Sequence, residues 1–86
     1  MSMTLTAELS LYPLREDYVA VILAFIEELN THDEITVKTN AMSTQLLGPH
    51  DAVINAVSEA LKFSAERFGM QVLVCKFIPA ELGIES

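Results

Sequence analysis

Basic residues are scarce in this chain. Five lysines and arginines stand against twelve aspartates and glutamates, for a formal charge of −7 at neutral pH. A nucleic-acid partner needs a basic patch that releases phosphate counterions, and so few cations build none. The balance suits a neutral or cationic ligand, and it equally suits plain solubility. Cysteine occurs once, at Cys75, so no internal disulfide can form. Cys75 lies in the apolar run from Met70 to Phe77, where a buried, inert thiol is expected. Three glycines in all leave no glycine-rich loop to cradle a nucleotide phosphate. No apolar run approaches the ~18 residues a membrane helix requires. No basic segment followed by an apolar one marks a signal peptide. The chain reads as cytoplasmic, with no membrane span.

What is present is a chain of 86 residues, 51% of them apolar. That length predicts a single domain over residues 1–86. A domain so small buries only about 60–65% of its unfolded surface. The apolar share is high for a small monomer, so part of the surface is expected to be covered by another subunit.

Thr4 to Tyr12 alternates, with Leu5, Ala7, Leu9 and Leu11 on one side and Thr4, Thr6, Glu8 and Ser10 on the other. The alternation predicts a half-buried strand, ended by Pro13. Glu16 and Asp17 open a helix, where acids favour the N-terminal dipole. Its apolar stripe is read as Val19, Ile22, Ile26 and Leu29, flanked by Tyr18 and Phe25. After a polar break, short strands are expected from Ile35 to Lys38 and from Met42 to Leu47, ended by Gly48-Pro49. Pro49 is placed as the first residue of a second helix. That helix buries Val53, Ala56, Val57, Ala60, Leu61 and Phe63, and Gly69 closes it. Met70 to Phe77 forms the last strand, and a short tail follows Pro79.

The order strand, helix, strand, strand, helix, strand is that of a ferredoxin-like α+β sandwich, with two helices on one face of a four-stranded antiparallel sheet. The other face is left uncovered by this chain. It is expected to carry Thr4, Thr6, Glu8 and Ser10, then Thr36 and Lys38, then Ser43, Gln45 and Leu47. Leu73 and Cys75, or their alternates, join from the last strand. So mixed a surface fits an assembly interface with a polar pocket in it.

Catalytic candidates are thin. A nucleophile needs a histidine and an orienting acid beside it. His32 falls in a loop and His50 in the first turn of a helix, both normally solvated positions. One cysteine and two distant histidines make a weak case for a zinc site. The stretch "KTNAMST", Lys38 to Thr44, differs in kind. Two threonines, a serine and an amide both donate and accept hydrogen bonds, which suits a neutral heterocycle with ring nitrogens and an exocyclic amine. By spacing alone it is either a binding element or a plain hairpin connection.

Three pieces of the chain bear on that choice: Ser10-Leu11-Tyr12-Pro13 with Asp17, then Lys38-Thr39-Asn40 with Ser43-Thr44, then Gly48 and Asp51. In one continuous register they resemble the YkoF family of thiamin- and hydroxymethylpyrimidine-binding proteins. The resemblance implies a ferredoxin-like domain whose open sheet face packs on a second such domain, with a pocket for the aminopyrimidine of thiamin. Only one copy of the domain is present, so pairing would join subunits as a homodimer or homotetramer. Carried over residue by residue, Tyr12 offers an aromatic wall or a hydroxyl. Ser10, Thr39, Ser43 and Thr44 hydrogen-bond the pyrimidine nitrogens, and Asn40 meets the exocyclic amine. Asn40 stands where the family also has aspartate, which weakens the attraction for a cationic thiazolium. Glu8 is added from the strand alternation alone, as a partner for a cation on the open face. Lys38 is read as a solvated charge or as the partner of Glu8. Gly48 and Asp51 are read as structural. The expected activity is non-enzymatic binding of thiamin or hydroxymethylpyrimidine, serving salvage or transport, with no cofactor. The alternative is a small-molecule-sensing regulatory module of the same fold.

Overall fold

The computed structural model describes residues 3–40 and 43–84. Its elements run β1 (Thr4–Pro13), α1 (Tyr18–Leu29), β2 (Thr36–Thr39), β3 (Thr44–Pro49), α2 (His50–Phe68) and β4 (Gln71–Ile78). The four strands form one sheet in the order β2-β3-β1-β4, and every neighbouring pair is antiparallel. Both helices pack on one face. The architecture is the ferredoxin-like α+β sandwich that the order of elements predicts.

The alternation of β1 sets the core. Leu5, Ala7, Leu9 and Leu11 are buried under the helices, with Val21, Phe25 and Leu29 of α1 and Val53, Ala56, Val57 and Ala60 of α2. Leu46 of β3 joins them. Burying each valine, leucine or phenylalanine of this set is worth about 1.5–3 kcal/mol, and the set holds the two helices against the four-stranded sheet.

Several local expectations are corrected. The inward face of α1 runs Val21, Phe25, Leu29, while Val19 is 55% exposed. Tyr18-Val-Ala-Val-Ile-Leu-Ala-Phe-Ile is apolar nearly all round, so periodicity alone does not choose which stripe faces the sheet. Glu16 and Asp17 do not sit in the first turn. Asp17 precedes it, and its carboxylate is taken by Arg15 rather than capping the helix. That guanidinium, chiefly through its hydrogen bonds, holds the Asp17 carboxyl below the usual carboxylate range. Pro13 does end the pairing, as the last paired residue of β1, opposite Gln71. A proline at a strand end forfeits no interior ladder donor. Pro49 likewise closes β3 and precedes α2, which starts at His50. In α2 the inward stripe includes Ser64, and Leu61 and Phe63 are only half-buried. Met42 lies outside the described residues.

Gly48 and Gly69 each have a steric reason. A Cβ on Gly48 would sit 3.0 Å from the Glu34 carbonyl oxygen and 3.1 Å from Ile35 Cγ2, where the chain enters β2. Gly69 follows α2 at φ 87°, a region that disfavours side chains. Its N–H donates to the Ala65 carbonyl at 3.0 Å.

The register also settles the two sheet faces. Leu73 and Cys75 pack toward the core, so Val72, Val74, Lys76 and Ile78 face outward, opposite Tyr12, Ser10, Glu8 and Thr6. Cys75 is half-buried, and burial raises its thiol pKa, in keeping with an inert thiol. One expectation about this face fails. The segment after β4 folds back over the Thr6 end, where Thr6 Oγ1 donates to the Ala80 carbonyl at 2.7 Å and accepts from Leu82 N–H at 3.2 Å. Thr6 is buried beneath it, as is Ile84 within the tail. The outer face is therefore partly covered by the chain's own tail.

Candidate ligand-binding site

A mismatch in strand length opens a cleft. β3 pairs with β1 only from Thr4 to Leu9, whereas β4 pairs with β1 as far as Pro13. Ser10 to Pro13 thus have a strand on one side and, among the described residues, none on the other. Exposed strand edges present backbone donors and acceptors. Over this edge stands α1, through Tyr18, Ile22 and Ile26, and beside it stands the end of the β2–β3 hairpin. The space between is about 370 Å³, within the usual range for small-molecule sites.

Six of the seven residues singled out in the sequence line this cleft: Ser10, Tyr12, Thr39, Asn40, Ser43 and Thr44. They come from two segments far apart in the chain, the end of β1 and the β2–β3 hairpin. Thr44 is buried and pairs with both Leu9 and Thr39 in the sheet. Its Oγ1 lies 3.5 Å from that of Thr39. Asn40 and Ser43 close the hairpin on each other. The Asn40 N–H donates to the Ser43 carbonyl at 3.0 Å, and the Ser43 N–H donates to Asn40 Oδ1 at 2.9 Å. Asn40 Oδ1 thus holds the turn from within the cleft lining. Leu9, Leu11 and Phe25 supply an apolar wall. Among the described residues, none that lines the cleft carries a formal charge.

Glu8 stands apart. It lines a second hollow on the outer sheet face rather than this cleft. Its Oε1 is 3.4 Å from Lys76 Nζ, its neighbour in the β1–β4 register, and its Oε2 accepts from Ser43 Oγ at 3.0 Å. The cation beside Glu8 is thus Lys76, and Lys38 is exposed opposite Gln45. Ser43 belongs to both places, lining the cleft while its hydroxyl points to Glu8.

Sequence reasoning missed the contribution of α1. Tyr18, Ile22 and Ile26 were assigned to the core stripe or its flank, yet they overhang the cleft. The available signal was an aromatic at the very start of a helix directly after the Tyr12-Pro13 strand end. His32 and His50 line neither hollow. His32 Nε2 lies 3.6 Å from Glu59, and His50 Nδ1 lies 2.8 Å from Asp51. Among the described residues no three His, Cys, Asp or Glu side chains converge as a metal site. Among the described residues, no helix is long and apolar enough to cross a membrane.

A domain of this fold with a neutral, hydroxyl-lined cleft defines a class of small-molecule-binding candidates. Residues 4–78 match the YKOF-related family, and the chain belongs to it. None of the curated proteins matches the chain. Among solved structures, a protein of Streptococcus pneumoniae is 26% identical, with a TM-score of 0.84 over 93% of this chain and 90% of its own. A hypothetical protein of Methanocaldococcus jannaschii is 27% identical, with a TM-score of 0.80 over 92% of this chain and 82% of its own. A Thermotoga maritima protein described as a putative thiamine biosynthesis/salvage protein shares the fold at 18% identity, with a TM-score of 0.77 over 86% of this chain and 81% of its own.

Proposed function

We propose that this protein binds thiamin, or its hydroxymethylpyrimidine moiety, in the cleft between α1, the free edge of β1 and the β2–β3 hairpin, without catalysing a reaction on it. The convergence of Ser10, Thr39, Asn40, Ser43 and Thr44 on an uncharged space of about 370 Å³ carries this reading. An aminopyrimidine has two ring acceptors and one exocyclic donor. The hydroxyls of Ser10, Thr39 and Thr44 donate to the acceptors, and the Asn40 side chain meets the amine. Tyr12 and Tyr18 also line the cleft, and an aromatic ring is a suitable neighbour for a cationic thiazolium. Membership of the YKOF-related family and the thiamine-related description of the Thermotoga maritima neighbour support the same ligand class. The chain is proposed to act as a homo-oligomer joined through the outer face of the sheet, in salvage or transport.

Titration calorimetry with thiamin and with hydroxymethylpyrimidine tests the reading. Saturable binding of either is expected, weakened about tenfold by Thr39→Val, the size of one or two lost hydrogen bonds. A folded sample that takes up neither ligand would refute it.

A further inference from the structure

The connection between β1 and α1, Leu14 to Asp17, is short and exposed, yet it joins two residues that line the cleft, Pro13 and Tyr18. Where it lies decides how far the start of α1 stands from the free edge of β1. Two long backbone bonds tether it. The Leu14 N–H donates to the Met70 carbonyl at 3.3 Å, and the Val21 N–H donates to the Asp17 carbonyl at 3.4 Å. Asp17 stands at the N-cap of α1 but makes no side-chain cap, so the orphan N–H groups of the first turn gain nothing from it. Helix ends held by so little open readily.

Arg15 supplies what the backbone does not. Its Nε and Nη2 donate as a fork to the two oxygens of the Asp17 carboxylate, and its Nη1 donates to the Phe68 carbonyl at 3.1 Å. Phe68 is the last residue of α2, where helix carbonyls lack partners and the dipole is negative. The same guanidinium lies over the Phe68 ring, 5.6 Å from its centroid, and that ring packs against the core. A single exposed ion pair is worth little, but a bidentate carboxylate, a helix-end carbonyl and an aromatic ring on one guanidinium form a network. The carboxylate that could cap α1 is given over to this contact. We propose that Arg15 is a positioning residue for the cleft: by clasping the β1–α1 connection to the end of α2, it holds Tyr18 and the first turn of α1 over the ligand. The inference rests on the ligand-binding reading of this cleft and names the device that keeps its α1 wall in place. Lysine does not replace Arg15, since an ammonium has the charge but no planar fork.

Two measurements on the full chain test it. The first is amide hydrogen exchange without ligand. The Arg15 side chain is 42% exposed, so Arg15→Met, which keeps an apolar stem, is expected to fold. It should exchange about fivefold faster at Val21 and Ile22, the upper end for one exposed ion pair, with β3 unchanged. Exchange no faster than in the wild type overturns the clasp. The second is calorimetry with thiamin and with hydroxymethylpyrimidine. Arg15→Met and Arg15→Lys should each weaken whichever ligand binds by about fivefold. Arg67→Met removes the other guanidinium over Phe68, and the one over Phe63, without touching the connection, and it should leave affinity unchanged. In a Tyr18→Ala background Arg15→Met should have no further effect, because it acts through Tyr18. A folded Arg15→Met that binds like the wild type overturns the inference alone, and so does a loss that persists in full without Tyr18. A wild type that binds neither ligand refutes the proposed function and removes the site that Arg15 would position, whatever the exchange shows.

Discussion

Ser64 is fully buried on the inward stripe of α2, and among the described residues its hydroxyl has no hydrogen-bond partner. A buried polar group left unsatisfied costs roughly 1–3 kcal/mol, and serine is a poorer helix former than alanine. Ser64→Ala is therefore expected to raise stability by about 1 kcal/mol, read as a higher denaturant midpoint at unchanged slope. Asn40 poses a different question, because its Oδ1 both holds the hairpin and faces the cleft. Asn40→Asp keeps an acceptor for the Ser43 N–H and adds a negative charge to an otherwise uncharged lining. It should strengthen binding of cationic thiamin relative to neutral hydroxymethylpyrimidine, and equal effects on both ligands in calorimetry would sink that idea. Cys75 gives a prediction in pH. Burial raises its thiol pKa in the folded state, so the unfolded chain loses this proton first as pH rises. The contribution is intact below the unfolded thiol value and is lost as pH rises through the folded one. Stability of the wild type should thus fall more steeply in the alkaline range than that of Cys75→Ala, as denaturant midpoints across pH will show.

At the scale of elements, the close approach at Gly48 is the tightest constraint outside the core. A methyl group there would press on the Glu34 carbonyl at 3.0 Å and on Ile35, and the nearest atom is backbone, which gives less readily than a flexible side chain. Gly48→Ala should cost about 1–3 kcal/mol by forcing the start of β2 away from β3. Thermal unfolding checks this, and an unchanged midpoint would show that the β2 segment moves freely. The order of elements was legible because β1 alternates cleanly and α2 has a clear apolar stripe ending at Gly69. The phase of α1 was not, since a helix apolar on nearly every side offers two equivalent stripes, and only packing against Leu9 and Leu11 selects Val21, Phe25 and Leu29. The residues of the cleft were nameable one by one. Its position was not, because it arises from β3 pairing with fewer residues of β1 than β4 does. The path of the tail was equally hidden, as its anchor is a threonine 74 positions away in the chain.

For the whole molecule, the question is what covers the remaining apolar surface. Beyond the tail, the outer sheet face still exposes Tyr12, Val72 and Val74, which lie together across β1 and β4. Leu14, Tyr18, Val19 and Leu23 form a separate exposed group at and before α1. Two apolar areas on different sides of a domain with 5475 Å² of total surface are more than solubility favours. A stable pairing needs only roughly 800 Å² per partner. If the sheet face is the joining surface, a charge at its centre must be desolvated on assembly, while in the lone subunit it stays in water. Val74→Glu meets that condition: the position is 44% exposed and lies two residues from Lys76 on the same face. The variant should remain folded by circular dichroism, yet light scattering should show it at a smaller assembled mass than the wild type at equal concentration. A variant of unchanged mass would move the interface to the α1 side. Leu23→Glu, also on an exposed position, would then be the substitution that dissociates it.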